Sequence, residues 1–336
     1  MSTRVSLEQV AKAAGVSKAT VCKVIRNYPR INATTRRRVQ ALLKRMHYVP
    51  HPALSEIAAA RWRASKRNAT MAIAWVGVTP ERRTVEQQAA ANRCRELGYR
   101  LCPFYLKDYT TWRRLEVGLR DEGIRGIILS PPYAPEEPPV ELHWPEFAAV
   151  ACTRGWHDYP IPCVEANYFG LVTQAWNRLW QLGYRRIGAA LYCHSPAHPE
   201  DVIRHAALHE CQARMPAGGS AIPIHTGGYE DHAAVVEWYR RHQPDAVMSF
   251  HSGLRWWLRD AGVRIPAQAA FVSLLIDPND KLTSGMRSFL ADAGRYSVHM
   301  ADELLRHQSV AGLLGRFTVL LDPVWQDGRT APARKE

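Results

Sequence analysis

Lys18, Ala19 and Lys23 are spaced to share one face of a helix that Ser17 is placed to cap, a face that offers ammonium and methyl groups and no nucleophile or acid–base pair. Behind that face Val21, Val24 and Ile25 fall on the buried side, and Gly15-Val16 ahead of Ser17 supplies a tight or left-handed turn. Before the turn, Ser6-Leu7-Glu8-Gln9 is an S-x-x-Q capping box. Leu7, Val10, Ala11 and Ala14 then recur at helical spacing, which predicts a helix from about Leu7 to Ala14. Asn32 is placed to cap a third helix, from about Ala33 to His47. Its stripe of Val39, Leu42, Leu43 and Met46 closes a small three-helix core and leaves Arg36, Arg37 and Arg38 facing outward or towards phosphate. Two short helices across a three-residue turn make a helix-turn-helix, whose second helix lies in the major groove with its first residues at base edges.

The charge distribution bears on the same segment. Residues 1–68 hold 15 Lys and Arg against two acids, Glu8 and Glu56, a surplus of 13 that equals the net charge of the whole chain. The remaining residues balance 29 basic against 29 acidic side chains. A neutral body with a basic head is the electrostatic footprint of nucleic-acid binding. With 336 residues and 46% apolar content the chain has material for two or three domains with ample cores. Seven cysteines, Cys22, Cys94, Cys102, Cys152, Cys163, Cys193 and Cys211, form an odd, scattered set without a CxxC pair, which points to a reducing cytoplasm. The opening MSTRVSLEQV lacks the apolar core of a signal peptide, and no run of about 18 apolar residues occurs.

The run Val5 to Asn27, with Thr35-Arg36-Arg37-Arg38-Val39 and Tyr48-Val49-Pro50 after it, resembles the headpiece of the LacI/GalR (lac repressor) family. The resemblance implies base-edge readers at Lys18, Ala19 and Lys23, and phosphate contacts at Ser6, Ser17, Thr20, Asn32, Thr35 and Tyr48. Where the family usually has Ser-Arg this chain has Cys22-Lys23. Lysine lacks the planar fork that arginine offers guanine, so the half-site read differs or is read less sharply. His51 to Ala60 resembles the family's hinge helix, with Ile57 at the position of the minor-groove wedge and an ordinary linker as the alternative.

Beyond the basic stretch ending at Arg67, strands and helices alternate. Strands are expected at Met71–Val78, Tyr99–Leu106, Gly126–Ser130, Ala148–Cys152, Ile187–Tyr192 and Phe271–Ile276, and helices at Val85–Leu97, Leu115–Glu122 and Phe169–Leu182. Gly123 to Leu129 and Leu182-Gly183-Tyr184-Arg185-Arg186-Ile187 resemble family landmarks of a bilobal, periplasmic-binding-protein-like α/β core with two doubly wound parallel sheets. The expected organisation is an all-α headpiece at 1–50, a hinge and linker at 51–67, and a core at 68–336 whose chain changes lobe near 164 and again near 290.

Between such lobes the resemblance places a small-molecule effector, with Arg204 and Asp277 as polar anchors, His251-Ser252 where the family has Asn-Asp, and Trp156 as a ring to stack on a sugar-like or nucleoside ligand. It also implies a homodimer, through surfaces that include Val85–Leu97, on a pseudo-palindromic double-stranded DNA operator, with repression the commoner output. Departures such as Val164-Glu165-Ala166-Asn167 and Ser284 to Ser288 leave open a regulator whose ligand response has diverged or been lost. Two further classes stay in view. His205 and His209 with nearby Cys211 suggest a metal-responsive regulator. An enzyme on an α/β core is the other, although no G-x-S-x-G, P-loop, G-x-G-x-x-G or HExxH occurs. The reading adopted is a regulator that is not an enzyme and has no cofactor or metal site.

Overall fold

The computed structural model describes residues 7–25, 31–46, 48, 71–80, 84–132, 134–227, 231–306 and 316–334, with backbone alone at 19, 22, 23, 25 and 84. Ser6, Ile57 and the expected hinge at 51–67 lie outside the described residues. In the headpiece, α1 (Leu7–Ala14), α2 (Lys18–Ile25) and α3 (Ala33–Arg45) follow one another. Gly15 adopts φ +61, a left-handed conformation that costs glycine little, and this lets Val16 N–H return to the Ala11 carbonyl at 3.1 Å. Val10, Ala14, Val21, Val24, Val39 and Leu42 form the buried core, with Leu43, Met46 and Tyr48 packed against it. The third helix is described as far as Arg45, where Met46 N–H still bonds the Leu42 carbonyl at 2.9 Å; His47, its expected end, lies outside the described residues.

The core begins with β1 (Met71–Gly77), α4 (Thr84–Glu96), β2 (Tyr99–Tyr105), a single turn α5 (Leu106–Tyr109), α6 (Trp112–Asp121), β3 (Gly126–Leu129), β4 (Ala148–Cys152) and β5 (Cys163–Ala166). It continues with α7 (Tyr168–Gln181), β6 (Ile187–Tyr192), α8 (Pro199–Ala213), β7 (His225–Gly227), α9 (His232–His242), β8 (Ala246–Ser249), α10 (Leu254–Asp260), β9 (Ala270–Ile276), β10 (Ser284–Arg287), α11 (Leu290–Arg306), β11 (Thr318–Leu321) and β12 (Trp325–Gln326). The sheet of the first lobe runs β11-β5-β4-β3-β1-β2 with every pairing parallel. The second runs β12-β10-β9-β8-β6-β7, parallel except where β12 meets β10. Central strands such as Gly126–Leu129 and Ala148–Cys152 are buried at every position, as parallel strands covered on both faces must be.

The two sheets share one arrangement, and the chain passes between them three times: after β5 into α7, after β10 into α11, and after β11 into β12. The last passage, at 322–324, has no counterpart in the sequence reading. Helix α6 begins at Trp112 rather than Leu115, because Thr111 Oγ1 accepts the Arg114 N–H at 3.3 Å and caps the helix a turn earlier. Among the described residues no helix is long and apolar enough to cross a membrane.

Candidate functional sites: a helix-turn-helix face and an inter-lobe cleft

On the headpiece, Ser17 Oγ accepts the Thr20 N–H at 3.1 Å and lies 2.8 Å from Thr20 Oγ1, so both hydroxyls sit at the start of α2, where unpaired backbone N–H groups favour anions. Lys18 is exposed and its ammonium reaches Glu8 Oε1 of α1 at 3.1 Å. That pair spans the two helices of the motif and is weak in water, so the lysine is readily released to another acceptor. Asn32 Oδ1 accepts Thr34 N–H at 2.9 Å, which fixes the start of α3 with Thr35 in its first turn and Arg37 and Arg38 exposed. Tyr48 donates its backbone N–H to the Leu43 carbonyl at 3.0 Å. For Ala19 and Lys23 the description is limited to their place on α2.

The second surface is a cleft of about 480 Å³ between the lobes. Its walls are the carboxyl ends of parallel strands, where doubly wound sheets present residues to a ligand. After β4 the chain turns at Thr153, buried with φ +72, and presents Arg154 and Trp156. Tyr192 ends β6 and His194 follows it, and after β8 comes Phe250. Tyr168 enters from α7, and His198, Glu200 and Arg204 from the start of α8.

Two ion-pair systems organise the polar part. Arg154 grips Glu165 with both arms, Nε to Oε2 at 2.9 Å and Nη2 to Oε1 at 2.7 Å, and those hydrogen bonds raise its pKa further above the ordinary arginine value. Arg204 is buried; it donates to Asp201 Oδ1 and stands 3.5 Å from Glu200 Oε2. Its guanidinium carbon lies 4.4 Å from the centre of the Phe250 ring and 5.7 Å from that of Tyr168. Asp201 also accepts the backbone N–H groups of His194 at 2.9 Å and His198 at 3.0 Å. Burial acts to raise the Asp201 pKa, but these backbone N–H groups and Arg204 outweigh it and hold the carboxyl below its ordinary value.

Trp156 belongs to the first lobe and sits edge-on against His198 and His194 of the second, at ring separations of 4.4 and 5.1 Å, with its Nε1–H 3.4 Å from the Pro196 carbonyl. The tryptophan therefore bridges the lobes at one end of the cleft.

Of the four expected effector contacts, Arg204 and Trp156 line this cleft while His251 and Asp277 do not. Asp277 is exposed and serves a turn, its Oδ1 accepting Asn279 N–H at 2.8 Å. His251 lies face-on to Trp257 at 4.5 Å, and burial lowers its pKa. Arg154 with Glu165, Tyr192, His194, His198, Glu200 and Phe250 are the residues that sequence reasoning missed. Their signal was available, since most directly follow or closely precede a strand or helix end on the carboxyl side of a sheet. The expected neighbourhood of His205, His209 and Cys211 also differs: Cys211 is buried, and His205 Nε2 meets Cys193 Sγ at 3.0 Å. Among the described residues no group of three or more His, Cys, Asp or Glu side chains stands ready to hold a metal ion.

The family model of the bacterial regulatory proteins, lacI family, matches residues 6–51. No curated protein sequence matches the chain. Among solved structures, the transcriptional regulator CelR in complex with cellobiose is similar at TM-score 0.57 and 18% identity, over 97% of this chain and 100% of that one. The lac repressor dimer bound to operator and the anti-inducer ONPF gives TM-score 0.56 and 17% identity over 98% and 100%. A regulatory protein of the LacI family from Chloroflexus aggregans gives TM-score 0.59 and 19% identity over 78% and 99%. At these identities the likeness is one of fold. The family match falls on the helix-turn-helix, so residues 6–51 are a lacI-family headpiece, and the two-lobe fold shared with the solved regulators lies behind it.

Proposed function

We propose that the protein is a cytoplasmic repressor that binds a pseudo-palindromic operator as a homodimer and whose operator affinity is set by a small molecule held between the lobes. The observation that carries this reading is the capped, hydroxyl-lined start of α2 in a basic headpiece that, together with the segment up to residue 68, carries a charge surplus equal to the net charge of the chain. Ser17, Thr20, Asn32, Thr35 and Tyr48, with Ser6 ahead of them, are assigned to phosphate, and Lys18, Ala19 and Lys23 to base edges; Ile57 is assigned to the minor-groove wedge. The solved lac repressor is a dimer on its operator, and a dimer gives this chain the two-fold symmetry that a pseudo-palindrome requires.

The cleft supports an uncharged ring-bearing ligand, a carbohydrate among them. Both of its guanidinium groups are already paired with carboxylates of the chain, so a phosphate or carboxylate would have to break a buried pair to gain one. Trp156, Tyr192 and Phe250 supply ring faces, and Arg204 and Arg154 retain donors for hydroxyls. CelR, of similar fold, is solved with cellobiose. No catalytic function is proposed.

The test is selection of genomic DNA fragments by the purified protein, at low salt and again at salt high enough to suppress non-specific phosphate binding. A pseudo-palindromic motif retained at high salt is expected. Binding that vanishes with salt and leaves no shared motif would overturn the operator reading.

A further inference from the structure

We propose that Glu8 is a positioning residue for Lys18, and that it turns an ammonium able to bind any phosphate into one that reads a base edge. The role rests on Lys18 being a base-edge reader. Glu8 is the only acidic side chain in residues 1–55, a segment otherwise rich in lysine and arginine. It stands in the first turn of α1, and its Oε1 accepts from Lys18 Nζ, on the first residue of α2, at 3.1 Å. The single carboxylate of the headpiece is thus spent on one proposed reader. Both side chains are exposed, so the pair does not fill or close the headpiece core.

A carboxylate beside Lys18 changes which acceptors the lysine takes. An ammonium has three donors, and Glu8 uses one of them, which aims the other two without exhausting them. A phosphate approaching the same ammonium brings a second anion against the carboxylate, and the two repel. The edge of a base brings neutral acceptors, such as guanine O6 and N7, and meets no such repulsion. Glu8 therefore penalises phosphate contact by Lys18 more than base contact, which lowers non-specific binding relative to specific binding. Without the carboxylate, Lys18 lies at the positive end of α2, whose first turn holds no acid, and the nearest phosphate is its natural partner.

The experiment uses the full-length protein and the DNA motif it selects, and measures affinity for that operator, for single-base-pair variants of it and for a random-sequence duplex between about 50 and 200 mM salt. Glu8→Gln, an exposed and nearly isosteric change, is expected to tighten binding to random DNA by about two- to fivefold at the lower salt, the range of an exposed ion pair. Its salt slope on random DNA steepens by about 0.9, the value of one added phosphate contact. Operator affinity rises less, so the ratio of specific to non-specific binding falls. Lys18→Ala abolishes discrimination at one base pair of the operator. Glu8→Gln weakens discrimination at that same base pair, and adding it to Lys18→Ala weakens it no further. Simple removal of a negative charge would tighten both kinds of DNA alike. An unchanged ratio in Glu8→Gln, or a loss of discrimination at a base pair that Lys18→Ala leaves intact, would overturn this role and leave the operator reading standing. A natural protein that selects no motif would overturn both.

Discussion

Ser17 and Arg204 show how single side chains carry both stability and recognition. Ser17 Oγ holds the first turn of α2, so Ser17→Ala is expected to cost about 1 kcal/mol, the usual loss for an N-cap, and to lower the headpiece melting temperature measured by circular dichroism. The same change removes a proposed phosphate contact, which lowers affinity for all DNA sequences alike rather than altering the selected motif. Arg204 is a stronger case because both it and Asp201 are buried. Arg204→Met keeps the packing against Phe250 and strips the carboxylate of its partner, and is expected to destabilise the second lobe by about 3 kcal/mol. The pH dependence follows from Asp201. Its folded-state pKa is lowered from 3.8, so its stabilisation is present above that value and is lost as pH falls through the lowered one. The stability gap between the natural protein and Asp201→Asn should therefore narrow on acidification below about pH 4, and a gap constant down to pH 2 would sink this account.

At the scale of elements, the close approach of α4 and α11 is the most demanding feature of the first lobe. An added methyl at Gly294 would stand 2.0 Å from the Glu86 backbone oxygen, which cannot rotate away. Gly294→Ala is expected to force the helices apart and to cost about 1–3 kcal/mol, read as a fall in denaturant midpoint. Such constraints explain which parts of the molecule were legible in the sequence. Periodicity located α1, β4 and β6 to the residue, because each has a clear apolar stripe or run. Local spacing could not reveal the cleft: Arg154 and Glu165 meet from two strands, and Trp156 meets His198 from another lobe, so only the fold shows them as neighbours. Asp277 and His251 illustrate the converse, polar residues at strand ends whose side chains are taken up by a turn and by the Trp257 ring.

For the whole molecule, the three chain passages between lobes act as a natural hinge, and a ligand touching both walls of the cleft favours one degree of closure over others. Trp156 already joins the lobes in the described state, so the ligand competes with this contact or rests on it. If lobe closure is what the headpieces of a dimer sense, the cleft and the operator are linked sites, and linkage is reciprocal. A ring compound that raises the melting temperature of the protein, found by screening neutral carbohydrates and nucleosides, should change operator affinity by some factor. The operator should then change affinity for that compound by the same factor, within the usual range of about 5- to 150-fold. Calorimetric titration of the compound into free and operator-bound protein measures one side, and operator titration with and without the compound measures the other. Trp156→Ala should reduce the factor, since it removes both a ring for the ligand to rest on and the inter-lobe contact. Equal ligand affinity in free and operator-bound protein would mean that the cleft does not communicate with the DNA, and that regulation enters elsewhere.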